Sequence, residues 1–195
     1  MTTVTELEKV SRVVPKRFRV ADFRRMTEAG ILPEDNSWEI IDGYLIEKMG
    51  TGSKHASTVK RLNKKLTILF NDEFVVSVQD PIHLDDFNEP LPDIAVLKAG
   101  ADFYAEKHPI PEDVLLLIKV SDSTVEYDRK YKKTLYAEAG IVEFWIVNLT
   151  DETVECYSQP KNGNYRLARI LEKGERVESS AVENLKMSVE GILGL

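Results

Sequence analysis

The chain contains a single cysteine, Cys156, among its 195 residues. One cysteine cannot form an internal disulfide, which suits a reducing compartment, so a cytoplasmic location is expected. No apolar run approaches the roughly 20 residues that span a bilayer. The polar first residues also lack the apolar core of a signal peptide. We therefore expect no membrane partner.

The chain also has fewer basic than acidic residues. The chain has 26 Lys and Arg against 33 Asp and Glu, which gives a net charge of −7. A protein that coats nucleic acid without selectivity is usually basic, because phosphate contacts dominate such binding. The composition therefore argues against that role, although it allows an enzyme whose basic residues are local. Local basic groups do occur, such as Lys60-Arg61 with Lys64-Lys65, and we interpret them first as solvated faces.

Hydrophobic residues make up 43% of the chain, as in an ordinary soluble globular protein. The length predicts a single domain over residues 1–195, with residues 1–15 as a loose N-terminal arm. Apolar periodicity and turn residues predict helices over 20–29, 56–71 and 127–139, a hairpin over 38–46, strands over 74–79, 91–97, 114–121 and 143–148, a second hairpin over 153–170, and a short helix or strand pair over 181–193. This order predicts one α/β domain with a mixed sheet.

Two of the predicted strands carry charged residues that could act together. Asp93 follows Pro92 near the start of one strand, and Lys119 lies in the aliphatic run 114–121. Phosphodiester hydrolysis uses a divalent cation held by oxygen ligands and a lysine that orients the attacking water. A buried unpaired lysine is costly, so Lys119 should reach solvent or pair with a carboxylate, for which Asp93 is the candidate. An acid-x-lysine arrangement would need a carboxylate at position 117, where Leu117 stands.

A series of motifs follows in order along the chain. They are Glu39-x-x-x-Gly43, His55 ahead of a helix, Gln79-x-Pro81-Ile82, Pro92-Asp93-Ile94, Val120-Ser121-Asp122-Ser123-Thr124, Asp128-Arg129-x-x-Lys132-x-x-x-Tyr136-Ala137 and Glu143-Phe144-Trp145-Ile146-Val147. With these motifs the chain resembles the Uma2 family of the PD-(D/E)xK nuclease superfamily over residues 18–165. The resemblance implies a restriction-endonuclease-like α/β fold, in which helices flank a mixed sheet and a C-terminal β-hairpin is added.

The same resemblance implies a site, a cofactor and partners. Asp93 and the residue at position 119 would hold Mg²⁺ or Mn²⁺, with Glu39 assisting, and Lys132 would be the catalytic lysine. Supporting candidates are His55, Asp128 and Gln79. DNA is the implied substrate, and a homodimer is the implied assembly.

The chain departs from the family at the centre of this site. The family usually has glutamate where Lys119 stands, so a negative ligand has become a positive charge. Like charges at 4 Å repel by about 4 kcal/mol at an effective dielectric near 20. Lys119 fits the strand-lysine pattern instead, but then the carboxylate at position 117 is missing. Both alignments leave the site short of one acid.

Each candidate also has a structural interpretation. Asp93 and Lys119 could form a structural bridge, and Lys132 could be a helix surface residue. Glu39 could be an edge-strand charge, and His55 could support the start of its helix. Asp128 could cap its helix, because an acid suits that end.

Three functions remain open from the sequence. The first is a magnesium-dependent DNA endonuclease, and the second is a catalytically degenerate nuclease fold that binds nucleic acid or protein without cleavage. The third is a dimeric interaction module that pairs through a sheet edge and the C-terminal hairpin. Ser121 and Ser123 have no evident general-base partner, so a serine-hydrolase mechanism is not expected.

Overall fold

The computed structural model describes residues 15–33, 37–48 and 52–195. These residues divide into two compact units. The first contains the described residues up to 48 together with Asp85–Pro90, and the second contains residues 52–84 and Leu91–Leu195. The predicted arm, residues 1–15, lies outside the described residues apart from Pro15. The single-domain interpretation stays a prediction.

The first unit contains one helix and a β-hairpin. Its elements are α1 (Val20–Glu28), β1 (Ser37–Ile41) and β2 (Tyr44–Lys48). Asp42 and Gly43 both have positive φ, 55° and 76°, which is the requirement of the two-residue turn that suits a hairpin. The predicted hairpin is therefore confirmed. Glu89, from the second segment of this unit, exchanges backbone hydrogen bonds with Ile40 of β1.

The second unit is built on a six-stranded sheet. Its strands are β3 (Phe74–Val78), β4 (Ile94–Lys98), β5 (Val114–Ser121), β6 (Glu143–Asn148), β7 (Thr153–Lys161) and β8 (Asn164–Leu171). The strands lie side by side in chain order. Only the β5–β6 pair is parallel among them, so the sheet is mixed, as predicted.

The second unit also contains several helices and helical turns. They are α2 (Ser53–Phe70), the 3₁₀ turn Pro111–Asp113, α3 (Val125–Tyr127), the π-helical turn Asp128–Lys132, α4 (Lys133–Glu138) and α5 (Val189–Leu193). A final strand pair joins β9 (Arg176–Glu178) to β10 (Lys186–Ser188). No helix among the described residues is long and apolar enough to cross a membrane.

Strand β5 is covered on both faces, as its continuous aliphatic run predicted. Leu116 and Ile118 belong to one apolar cluster, which includes Leu62 and Leu66 of α2. Leu117 belongs to a second cluster, whose members include Tyr136, Phe144 and Ile146. Because alternate side chains of a strand point to opposite faces, the two clusters bury β5 from both sides.

Two element boundaries differ from the sequence prediction in ways that bear on the site. The strand predicted over residues 91–97 begins at Ile94, so Asp93 lies just before β4 rather than inside it. The helix predicted over residues 127–139 begins at Val125 and contains the π-helical turn. Pro92 has no N–H to donate to a sheet ladder, so it contributes no such bond ahead of β4.

Candidate active site

Asp93 is a buried carboxylate of the candidate site. Its side chain is fully buried between the start of β4 and the end of β5. Oδ2 accepts a hydrogen bond from the backbone N–H of Val120 at 2.8 Å. The backbone carbonyl of Asp93 accepts from the N–H of Gln79 at 3.2 Å. The carboxylate is therefore fixed by the backbone of β5 as well as by its own chain.

Lys119 pairs with this carboxylate. Its Nζ donates to Asp93 Oδ2 at 2.7 Å, and its side chain retains 12% of its exposure. A nearly buried ammonium group needs such a partner, because desolvation of an unpaired charge costs several kcal/mol. The pairing expected from the aliphatic surroundings of Lys119 is the one that the structure has.

His55 and Gln79 reach Asp93 in different ways. His55 lies in the first turn of α2 and is buried, with Nε2 3.3 Å from Asp93 Oδ1. Its Nδ1 makes no hydrogen bond within the described part of the chain. Gln79 contacts Asp93 through a backbone hydrogen bond, and its side chain is exposed. His55 is therefore the closer of the two to the carboxylate chemistry.

Asp128 forms the second carboxylate position, beside the end of β5. Its Oδ2 accepts hydrogen bonds from Ser121 Oγ at 2.6 Å and from Thr124 Oγ1 at 3.0 Å. Asp128 is 1% exposed, and this burial raises the pKa of its carboxyl group above the usual value. The positive charges of Lys119 and Lys132 oppose the rise, so both ammonium groups act on this carboxyl.

Lys132 lies at the end of the π-helical turn that begins with Asp128. It is 3% exposed and is not a surface residue of its helix. Such one-turn π-bulges are rare and occur often at functional sites. The bulge gives Asp128 and Lys132, four residues apart, a relative position that a regular helix would not give.

Arg129 is turned away from this group. Its guanidinium donates to Glu155, which is fully buried, and to the exposed Glu126. Tyr157 OH also donates to Glu155 at 2.5 Å. Arg129 thus joins the π-helical turn to β7.

Glu39 lies in the first unit, on β1, and is 3% exposed. The other predicted residues belong to the second unit. Within that unit the structure brings together Asp93, Lys119, His55, Asp128 and Lys132. The sequence did not reveal two hydroxyl partners of Asp128, Ser121 and Thr124, although both stand in the motif that precedes it.

The divalent cation that the resemblance implies would need oxygen ligands in a defined arrangement. Mg²⁺ binds oxygen ligands at about 2.0–2.1 Å and needs nearly octahedral surroundings. Lys119 Nζ already lies 2.7 Å from Asp93 Oδ2, so a cation on that oxygen would sit beside an ammonium group. Among the described residues, no group of three or more His, Cys, Asp or Glu could hold a metal. The described residues at this site therefore do not fit a divalent cation as they stand.

A solved structure shares the fold of this chain. The crystal structure described as "a putative nuclease belonging to DUF820" from Anabaena variabilis ATCC 29413 matches with a TM-score of 0.70. The match covers 92% of this chain and 98% of that chain at 16% identity, which shows a shared fold. The chain thus shares the mixed α/β fold of that protein.

The family follows from the sequence match. The model of the Uma2 family, described as "Putative restriction endonuclease", matches residues 20–190. The chain belongs to the Uma2 family, which confirms the resemblance of its motifs. No curated protein matches the chain significantly.

Proposed function

We propose that this Uma2-family member is a degenerate nuclease that binds DNA without cleaving it. The observation that carries the proposal is the 2.7 Å contact between Lys119 Nζ and Asp93 Oδ2. The ammonium group supplies, from within the chain, the positive charge that a cation would supply to Asp93. No divalent ion is then needed to stabilise the buried carboxylate.

The charge balance of the cluster supports the same proposal. Asp93 and Asp128 carry two formal negative charges, and Lys119 and Lys132 carry two positive ones. A buried group of charges is tolerated when it is paired and hydrogen-bonded. A divalent cation added to this group would bring two positive charges that nothing compensates. In a family member with glutamate at position 119, the same group would carry a net negative charge that could balance the cation.

A second candidate is an active endonuclease that depends on Mg²⁺ or Mn²⁺. Family membership favours it, as does the grouping of Asp93, Asp128 and Lys132. In this case Lys119 would have to leave Asp93 when the cation binds. Its partial exposure, 12%, leaves a route toward solvent.

Plasmid nicking separates the two candidates. The natural chain, Lys119→Glu and the control Lys98→Glu are incubated with supercoiled plasmid in Mg²⁺, in Mn²⁺ and in EDTA. Lys98 is exposed at the end of β4, so the control makes the same charge change away from the site. Circular dichroism first establishes that each variant is folded.

Of these three proteins, we expect only Lys119→Glu to nick the plasmid, and only when the divalent cation is present. Nicking by the natural chain that needs the cation and disappears in Asp93→Ala would establish the second candidate instead. Nicking by none of the folded proteins would mean that more than Lys119 separates this chain from an active enzyme.

DNA binding is tested separately by anisotropy of a labelled duplex in EDTA. The proposal expects binding that weakens steeply with salt, because phosphate contacts release counterions. No binding at low salt would reject it. The homodimer implied by the resemblance and the cytoplasmic location stay predictions, and light scattering tests the first of them.

A further inference from the structure

Helix α2 has a charge pattern that contrasts with the rest of the chain. Its eighteen residues include five basic ones and no acidic one, in a protein whose net charge is −7. We call the five the α2 basic face: Lys54, Lys60, Arg61, Lys64 and Lys65. Solvated helix faces more often mix both signs, since opposite charges one turn apart stabilise each other.

The five basic residues share one side of the helix. At about 100° per residue they fall within an arc of about 140°. The buried residues of α2 occupy a separate arc and face the apolar core; they are His55, Thr58, Val59, Leu62, Leu66 and Phe70. The basic side is therefore the side that α2 turns away from its own core.

The lysines of this face are available to a ligand. Lys54, Lys60, Lys64 and Lys65 are exposed. None of the four forms an ion pair within the described part of the chain. Since no carboxylate of the described residues pairs with them, they form a strip of positive charge about 16 Å long at the 1.5 Å rise per residue.

Arg61 anchors this face to the C-terminal helix. Its Nη1 donates to the carbonyl oxygens of Ile192 and Leu193, at 3.3 and 2.9 Å. Gly194 lies against the guanidinium, where a Cβ would overlap it. Arg61 therefore fixes the α2 basic face against the C-terminal helix. The neighbouring lysines can be substituted without loss of these hydrogen bonds.

An open depression lies along the same face. It has a volume of about 520 Å³ and is lined by Arg61, Lys64 and Lys65, with Ile68, Gly191 and Gly194 and one acidic residue, Glu190. Glu190 Oε1 accepts a hydrogen bond from the backbone N–H of Gly174 at 2.8 Å. Three positive charges against one negative charge make the depression suitable for an anionic group.

We infer that the α2 basic face is the surface through which this protein contacts nucleic-acid phosphates. The inference rests on the proposed function and assigns its binding surface. A regular polyanion matches an evenly charged, rigid helix strip, and a duplex presents one negative charge per about 1.7 Å of its axis. A lipid surface fits less well, because a membrane-bound helix inserts an apolar face, and that of α2 is buried in the core.

The test is a salt series with a fluorescein-labelled 20-base-pair duplex in EDTA, followed by anisotropy. The variant is Lys60→Gln/Lys64→Gln/Lys65→Gln, which keeps Arg61 and its anchoring bonds. The matched control is Lys98→Gln/Lys107→Gln/Lys173→Gln, which removes three charges from exposed positions elsewhere. Vesicles containing phosphatidylserine form a parallel arm with the natural chain.

We expect the α2 variant to lower the slope of log K against log salt by roughly 2 to 3, at about 0.9 per phosphate contact. Affinity near 100 mM salt should fall at least roughly tenfold, and by less than about threefold in the control. Equal effects of the two triple variants, or unchanged binding by the α2 variant, would overturn the surface while leaving DNA binding in place. No DNA binding by the natural chain would overturn both proposals, and vesicle binding in its place would assign the face to lipid.

Discussion

Lys119 Nζ lies 2.7 Å from Asp93 Oδ2, and the same oxygen accepts the backbone N–H of Val120. Asp93 is fully buried, and Lys119 places a positive charge at hydrogen-bonding distance from it. The two residues occupy positions at which the resemblance to the family implies two metal ligands. The side-chain cation at this carboxylate bears on both the stability and the chemistry expected of the site.

Removal of Asp93 should destabilise the protein. Asp93→Ala removes the carboxylate that accepts from Lys119 Nζ and leaves this ammonium group in nearly buried surroundings, which we expect to cost about 3 kcal/mol of the free energy of unfolding. Urea denaturation measures the change. The exposed pair Arg17–Asp42 offers a control, since Asp42→Asn, which retains a residue suited to the turn, should change stability by less than about 1 kcal/mol.

The double variant Asp93→Ala/Lys119→Met distinguishes pairing from packing. It removes both charges and keeps an unbranched apolar chain at position 119, so it should be more stable than the sum of the single changes by at least about 1 kcal/mol. Additive losses would mean that the two side chains are not coupled, against the contact that the structure has.

Lys119→Glu should make the stability of the protein depend on divalent cations. Two adjacent carboxylates destabilise the fold without a cation, and a bound cation would then relieve their repulsion. At a Mn²⁺ concentration a hundred times the Kd, we expect about 2.7 kcal/mol of stabilisation, or a rise in Tm of roughly 5–10 °C. Thermal unfolding measures it, and the natural chain and Lys98→Glu should show no comparable rise. A cation effect equal in all three proteins would contradict the prediction.

Much of the fold could be predicted because its signals are local. The Asp42-Gly43 turn fixes a hairpin within a few residues, and the apolar spacing of α2 reports its buried side. The continuous run Val114–Ser121 identified the central strand with its bounds. These patterns depend on the pleat, the helical repeat and turn conformations, which the chain specifies over short distances.

The site was less predictable because part of its geometry depends on an irregular helical turn. The Asp93–Lys119 pair could be anticipated, since a lysine in an aliphatic strand demands a carboxylate. The hydroxyl bonds from Ser121 and Thr124 to Asp128 could not, because they depend on the π-helical turn that follows. A single-residue bulge leaves no periodic trace in sequence, so the position of Lys132 was open until the structure was known.

Cys156 should be unreactive while the protein is folded. It is 5% exposed, and burial, aided by the nearby Glu143, raises the pKa of its thiol to about 12. At pH 8 roughly one thiol in ten thousand would then be ionised. We expect slow alkylation by iodoacetamide in buffer and fast alkylation in denaturant, measured by mass spectrometry. Fast labelling of the folded protein would show that β7 opens readily.

The buried Asp128 should make stability fall as the pH rises. Burial raises the pKa of its carboxyl in the folded state above 3.8, the ordinary value that it regains on unfolding. The unfolded chain therefore loses this proton at lower pH than the folded one, and the folded state is penalised from about pH 4 up through the raised pKa. Asp128→Asn removes the titration, and its amide oxygen can still accept from Ser121 and Thr124. The free energy of unfolding of the natural chain relative to Asp128→Asn should then decline with pH in urea titrations from pH 3 to 8. Exposed Asp122→Asn gives the baseline, and a difference that rises with pH would mean that Lys119 and Lys132 outweigh burial.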